Sequence, residues 1–259
     1  MNKKRMLMII KGYKKTSVGL GMLLTKLVFA GSMGALPSAP LSNGLFIKFF
    51  AGPAWTVNTD DIQQFGVGAS TYTYYTNTEK RKTVWGAALG KEFNVSSQKI
   101  QFDLAYYHYG AFSKSGQLVQ GADAASSDVF PYQYEASIQQ LLLEAKILST
   151  FRTVMHPYAQ LGLGIGFNKT QNYGVTVPDF LTFSPLYANR SQTNLAYNLG
   201  AGIDFDVTAH LRAGIGYLFS DSGKVALGNG LIDDVPITPT LKQQHFYTNT
   251  LLLQINYII

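Results

Sequence analysis

The sequence predicts an all-β fold, an eight-stranded antiparallel up-and-down β-barrel that spans a membrane. Three observations lead to this prediction. Apolar residues alternate with polar residues or glycine over most of the chain after residue 43. The alternating segments have about 10 to 16 residues, which fits the ~9–11 of a tilted membrane strand better than the ~5–6 of a soluble one. Short and long connections alternate between the segments, as they do in membrane barrels.

Eight segments carry this alternation, and we expect each to be one strand. In chain order they are Leu45–Val57, Thr83–Asn94, Lys99–Phe112, Gln133–Leu148, Tyr158–Asn168, Leu195–Asp206, Leu211–Ser220 and Phe246–Ile259. The first four set polar or small residues against large apolar ones. The next three alternate glycine with aliphatic residues, as in YAQLGLGIGFN, and the eighth alternates Thr, Gln and Asn with Leu, Ile and Tyr. Since lipid cannot satisfy backbone polar groups, the sheet has to close, with its apolar face outward.

The inner face of the predicted barrel is the one that carries the glycines. An eight-stranded barrel is only wide enough for its side chains to fill it. Large inward residues therefore need space, and we expect glycine on neighbouring strands to provide it.

The connections differ in length on the two ends of the predicted barrel. The short ones lie at Val95–Gln98, Ser149–His156 and Val207–His210. The long ones are polar or rich in Pro and Gly, and we expect them to be loops over Asn58–Lys82, Ser113–Tyr132, Lys169–Thr193 and Asp221–His245.

The first 40 residues differ from the rest. A cationic stretch, MNKKRMLMIIKGYKK, precedes an apolar stretch that ends in small residues, which is the order of a secretory signal. We expect a signal peptide over residues 1–40, cleaved at about residues 34–39, and a barrel domain over residues 41–259. The alternative is an uncleaved anchor helix.

Composition excludes several function classes. Charged residues make up 14% of the chain, against about 25% in soluble domains. Seven of the 21 basic residues precede residue 30, which leaves 14 basic against 15 acidic residues, so the net charge of +6 does not indicate nucleic-acid binding by the barrel. There is no cysteine, the histidines lack metal-ligand spacing, and GLGIG and GAGID lack the third glycine of a dinucleotide site. We expect no cofactor and no metal.

Four stretches resemble a known family. They are HPYAQLGLGIGFN at 156–168, NLAYNLGAGIDFD at 194–206, LRAGIGYLFS at 211–220 and LLLQINYII at 251–259. With them, roughly residues 43–259 resemble the small eight-stranded outer-membrane β-barrels of Gram-negative bacteria, the OmpA-like and OmpW-like group. The resemblance implies a location in the bacterial outer membrane, short periplasmic turns, four extracellular loops, and contact with outer-membrane lipid and lipopolysaccharide.

The same resemblance implies that the last strand is the signal for the barrel assembly machinery. Its outward residues are Leu251, Leu253, Ile255, Tyr257 and Ile259. The family usually ends in an aromatic residue, whereas this chain ends in isoleucine.

Eight charged residues face the predicted lumen: Lys48, Glu92, Asp103, Glu144, Lys146, Asp204, Asp206 and Arg212. Unpaired buried charges are costly, so we expect these to pair, with Arg212 among Asp204 and Glu144. Paired charges that fill the lumen would form a structural plug, which we favour. The alternative is a gated narrow pore lined by them.

Two of the long connections are candidate binding surfaces. TYTYYTNTEKRKT at 71–83 places tyrosines beside Lys80, Arg81 and Lys82, a combination that suits the phosphates of lipopolysaccharide; the alternative is an ordinary solvated loop. The apolar stretch VTVPDFLTFSPLYANR at 175–190 would fold over the barrel mouth or contact a host or other surface ligand.

The function that we favour is structural, with display of the loops at the cell surface. The alternative is a narrow porin-like channel for small or hydrophobic solutes. A third class, a lipid-modifying enzyme, is disfavoured because His108 has no H-x-S partner, and we place it in an interfacial aromatic belt. We expect no enzymatic activity and no catalytic residue.

Overall fold

The computed structural model describes residues 44–57, 60–68, 70–95, 98–121, 128–151, 154–237 and 240–259. The predicted signal peptide over residues 1–40 and its cleavage site lie outside these ranges. Within them, no helix has the length and hydropathy that crossing a membrane requires.

The described chain is built from strands. In order they are β1 (Leu45–Thr56), β2 (Asp60–Val67), β3 (Ser70–Thr78), β4 (Arg81–Val95), β5 (Gln98–Gly121), β6 (Asp128–Ser149), β7 (Met155–Val175), β8 (Pro185–Tyr187), β9 (Arg190–Asp206), β10 (Leu211–Asp221), β11 (Val225–Ala226), β12 (Gly230–Ile232), β13 (Val235–Ile237), β14 (Lys242–Gln243) and β15 (Tyr247–Ile258).

Eight of these strands form a closed ring. Its order is β1-β4-β5-β6-β7-β9-β10-β15, and the pairing of β15 with β1 closes it. Every neighbouring pair in the ring is antiparallel, and each strand pairs with the ring strands before and after it in the chain. The prediction of an eight-stranded antiparallel up-and-down barrel is confirmed, as are the three short turns that end β4, β6 and β9.

The outer wall of the ring is apolar. Alternate residues along each strand are exposed and large, such as Phe49, Leu143 and Leu253 at 62, 69 and 62%. Aromatic rings border this wall, with Trp85 packed against Tyr106 on one side. An exposed apolar band between aromatic residues is the outer surface of a barrel that sits in lipid.

The long connections were wrongly predicted to be loops. β5, β6 and β7 have 24, 22 and 21 residues, about twice what crossing the membrane needs, and they continue beyond the apolar wall. β2 and β3 form a hairpin, and β3 pairs with residues 114–121 of β5, which is the part of β5 that lies beyond the apolar wall. β8, β12 and β13 form a small sheet, and β11 pairs with β14. We call the upper parts of β5, β6 and β7, together with β2, β3, β8 and β11–β14, the extension.

Two irregularities reverse the alternation where strands leave the wall. Gly110 in β5 has φ 76°, and the pairing of β5 with β6 shifts register between His108 and Gly110. The inward residues of β5 change there from odd to even numbers, from Tyr107 to Phe112. Asn172 in β7, with φ 60°, marks a similar change. Both are β-bulges that keep the strand continuous while they exchange its faces.

The extension has its own hydrophobic core. Its buried members are Tyr72, Tyr74, Leu118, Phe130, Tyr132, Tyr134, Tyr187, Leu227, Ile232, Ile237 and Leu241. The stretch 175–190 contributes to this core, because Phe183 stacks on Tyr72 with ring centroids 5.9 Å apart. This core explains why the connections are ordered strands, since burying aromatic rings supplies the free energy that an exposed loop lacks.

Glycines in the ring leave space for large inward side chains. A Cβ atom at Gly216 would collide with the hydroxyl of Tyr158, and one at Gly214 would collide with the carboxylate of Asp204. The structure thus gives the glycine faces the role that the sequence predicted.

Candidate functional site

The lumen contains three groups of ion pairs, and the first is centred on Lys48 of β1. Its Nζ lies 3.0 Å from Oδ2 of Asp103 and 3.0 Å from Oε2 of Glu144. The other oxygen of Glu144 accepts hydrogen bonds of 2.6 Å from the hydroxyl of Tyr107 and from Nδ2 of Asn198. All five side chains are buried. One cation therefore links β1 to both β5 and β6 inside the lumen.

The second group joins β6, β9 and β15. Nζ of Lys146 lies 2.7 Å from Oδ2 of Asp204, and it stands 3.7 Å above the centroid of the Tyr158 ring. Gln254 donates a hydrogen bond to the other oxygen of Asp204. The carboxylate is therefore held on both oxygens, and the ammonium contacts both an anion and an aromatic face.

The third group surrounds Arg212 at the end of the barrel with the short turns. Its guanidinium donates 2.7 Å hydrogen bonds to Glu92 and to Asp206. Asp206 also lies 2.7 Å from Nε2 of His156, and Gln101 donates to Glu92 at 2.6 Å. Arg212 is fully buried, which places the largest inward cation between two anions.

The predicted partners of Arg212 were wrong. We expected Asp204 and Glu144, but these carboxylates accept from Lys146 and Lys48. The register explains the difference, because Arg212 lies directly opposite Asp206 in the β9–β10 pair. The contact with Glu92 runs across the lumen, and local alternation along one strand carries no information about it.

The lumen above the charged groups is filled by apolar and aromatic side chains. They include Phe50, Tyr107, Tyr109, Phe112, Ile138, Leu142, Leu218, Phe246 and Leu252. The rings of Phe112 and Phe246 lie 5.0 Å apart, and those of Phe50 and Tyr107 lie 4.5 Å apart. The interior therefore changes from charged to apolar along the barrel axis before it reaches the core of the extension.

Several interior residues escaped the sequence analysis. Gln140 of β6 donates hydrogen bonds of 2.9 and 2.7 Å to the hydroxyls of Ser220 and Ser222, and this links β6 to the end of β10. The only sequence signal for these contacts was their position on the inward face. The side chain of His156, near the start of β7, is also buried beside Asp206.

Lys114 is an unusual buried cation in the extension, outside the membrane-spanning segments. Its Nζ donates a 2.6 Å hydrogen bond to Oε1 of Gln243 and lies 5.6 Å from the centroid of the Phe246 ring. No carboxylate among the described residues forms an ion pair with it. Burial lowers the pKa of Lys114 from 10.5 to about 8, and the charge of Asp61 offsets only part of that effect.

The structure separates the three basic residues of the 71–83 stretch. Arg81 points outward from the start of β4, opposite Trp55. Lys82 lies on the other face and forms a 2.9 Å ion pair with Glu79. Lys80 lies between β3 and β4 and is exposed.

The outward residues of β15 line the seam that closes the ring. Leu251, Leu253, Ile255, Tyr257 and Ile259 are all exposed on the outer wall. β15 pairs there with β1 on one side and β10 on the other. His108 also faces outward, with its ring 5.1 Å from that of Trp85.

A closed antiparallel ring with an apolar outer wall, aromatic borders, a polar interior, and short turns at one end defines a class of protein. The chain is an outer-membrane β-barrel, and its location is the bacterial outer membrane. In barrels of this class the short turns face the periplasm and the long connections are extracellular.

Known proteins offer little further detail. No protein-family profile and no curated protein matches the sequence. Similar solved structures include Neisserial surface protein A, with 11% identity and a TM-score of 0.41 over 83% of this chain and 97% of that one. OprG of Pseudomonas aeruginosa has 12% identity and a TM-score of 0.41 over 83% and 97%. Ail, the attachment invasion locus protein of Yersinia pestis, has 12% identity and a TM-score of 0.40 over 83% of this chain and 99% of that one. Identity and structural overlap are both low, so the class rests on the geometry of this chain.

Proposed function

We propose that this protein is a non-conducting structural barrel that displays the extension at the cell surface. The observation that carries the proposal is the filled lumen. Three groups of ion pairs and an apolar layer occupy it in series, and Lys48, Lys146 and Arg212 are among the most deeply buried large side chains. An ion that crossed the barrel would have to break these contacts and then pass an apolar layer.

The shape of the extension supports display. β5, β6 and β7 run without interruption from the membrane wall into the extension, so the displayed surface is a continuation of the barrel. Ordered strands that stand above the membrane can present a fixed surface to a partner. A host or other surface ligand, lipopolysaccharide, and the barrel assembly machinery are the partners that we propose.

A narrow channel is the second candidate, and one observation favours it. Both polar side-chain atoms of Asn256, and Nη2 of Arg212, are buried without a hydrogen-bond partner among the described residues. Asn256 lies opposite Lys48 and Arg212 in the sheet. Polar atoms in this state are ready to bind water or a small solute.

Single-channel conductance of the mature barrel in a planar bilayer tests the proposal. Protease protection of the membrane segments establishes insertion independently. We expect an inserted wild-type barrel to show no single-channel current. Lys91→Ala is a matched control for Arg212→Ala, because Lys91 faces outward and lies over the Phe93 ring, 5.2 Å from its centroid.

Discrete openings in the wild type that change in Arg212→Ala but not in Lys91→Ala would establish a pore and overturn the proposal. If the wild type shows no current and Arg212→Ala shows openings, the non-conducting proposal is supported directly, since one cation then keeps the plug closed. Silence of all three inserted barrels would also support a lumen that the remaining groups keep filled.

A further inference from the structure

A shallow groove runs along the outer wall at the extracellular end of β1. Its lining includes Ala51, Pro53, Thr83, Leu253 and Arg81, and its volume is about 570 Å³. It lies outside the lumen, so it takes no part in the plug. Binding in this groove requires only that the barrel lies in the outer membrane, and it is independent of whether the lumen conducts.

The sequence of β1 produces this groove. Its outward residues are Phe49, Ala51, Pro53 and Trp55, so two small side chains lie between two large ones. The pairing of β1 with β15 is interrupted between Ala51 and Ala54, because proline has no N–H to give to the neighbouring strand. A shallow recess is therefore left in a wall that is otherwise covered by large apolar groups.

A cation stands at the upper end of the groove. The guanidinium of Arg81 lies 5.7 Å from the centroid of the Trp55 ring, and no acidic residue in the described ranges forms an ion pair with it. The neighbouring Lys82 is already paired with Glu79. Arg81 is therefore the cation of this stretch that lies against an aromatic ring and, within the described part of the chain, has no anionic partner, so its donors can bind an external anion.

We propose that this groove binds one lipid of the outer leaflet whose headgroup carries phosphate. Arg81 would donate hydrogen bonds to the phosphate, and an acyl chain would lie over Ala51 and Pro53, against Leu253. The charge and the apolar recess follow each other in the order found in such a lipid. Arg81 pairs with Trp55 at the extracellular end of the groove, and the recess at Ala51, which pairs with Trp85, lies on the membrane side. Phosphate suits the planar guanidinium because two of its oxygens can accept in parallel.

The two tryptophans of the chain make the test direct. The ring of Trp55 lies against the guanidinium of Arg81, and Trp85 lies opposite Ala51 in the β1–β4 pair. The sequence contains no other tryptophan. A brominated acyl chain quenches tryptophan that it touches. The mature protein is refolded into phosphatidylcholine vesicles that contain either brominated phosphatidic acid or brominated phosphatidylcholine at the same mole fraction. The measured quantity is the ratio of quenching by the two lipids in each variant.

We expect the wild type to associate about fivefold more strongly with brominated phosphatidic acid, which corresponds to the ~1 kcal/mol of one basic residue near a membrane surface. Arg81→Ala should bring the ratio to about one, and Ala51→Phe, which fills the recess and leaves the cation, should do the same. Lys91→Ala, at the other end of β4, should keep the wild-type ratio.

Three results would overturn the proposal. Equal quenching by both lipids in the wild type would mean that the groove has no preference for phosphate. Loss of preference in Lys91→Ala as large as in Arg81→Ala would mean that net charge attracts the lipid. A preference that survives Ala51→Phe would mean that the cation acts without the groove.

Discussion

Replacement of Lys48 by methionine tests how the charged lumen is stabilised. The substitution keeps the length of the side chain and removes the cation that lies 3.0 Å from both Asp103 and Glu144. Two buried carboxylates then face each other without a counterion. Removing one partner of a buried ion pair costs about 3–5 kcal/mol, so we expect the free energy of unfolding to fall by that amount.

The measurement is urea unfolding of the refolded barrel in phospholipid vesicles, followed by tryptophan fluorescence. Lys91→Met is the control, because this lysine lies on the outer face, and its effect should stay within about 0.5 kcal/mol. Adding Glu144→Gln to Lys48→Met should restore part of the loss, since the amide oxygen still accepts from Tyr107. If Lys48→Met costs less than about 1 kcal/mol, or if the second substitution worsens it, the charges do not act as a paired plug.

Two further predictions concern the extension and the glycine faces. Because the folded state holds the pKa of Lys114 at about 8 rather than 10.5, the unfolded state binds more protons between these pH values, so stability should rise with pH across this window by up to about 3 kcal/mol. Urea titrations of the wild type and Lys114→Met, compared at several pH values, check this, and parallel pH profiles would contradict it. Gly216→Ala should cost about 1–3 kcal/mol, because its Cβ would collide with the Tyr158 hydroxyl. Adding Tyr158→Phe should recover part of that loss in the same assay, and no recovery would mean that the collision is elsewhere.

The ring of eight strands was predictable because lipid imposes a simple rule on it. Each membrane segment shows apolar residues on one face, and the closed sheet follows from the need to satisfy the backbone. The inward orientation of residues such as Lys146 and Arg212 follows from the same alternation. Their partners do not follow, because Lys48 reaches Glu144 across 96 positions of sequence, and the stagger between strands decides which charges meet.

The extension was missed for a different reason. The alternation of β5 breaks at Gly110, but the strand continues with its faces exchanged. After the break in alternation, the polar residues Ser113, Ser115 and Gln117 are typical of a solvated loop. The bulge at Gly110 converts that pattern into a strand whose inward residues are Phe112, Lys114 and Leu118.

The exchange of faces has a physical basis that links fold to function. Inside the membrane, the apolar face has to point outward and charges such as Asp103 can be placed in the lumen. Above the membrane, water surrounds the strand, so the apolar face has to point inward, and Leu118 is buried there. Without its bulge, β5 would expose Leu118 to water or Asp103 to lipid. The bulges therefore allow β5 and β7 to continue from lipid into water, whereas β6 makes the same crossing with its even-numbered residues inward throughout.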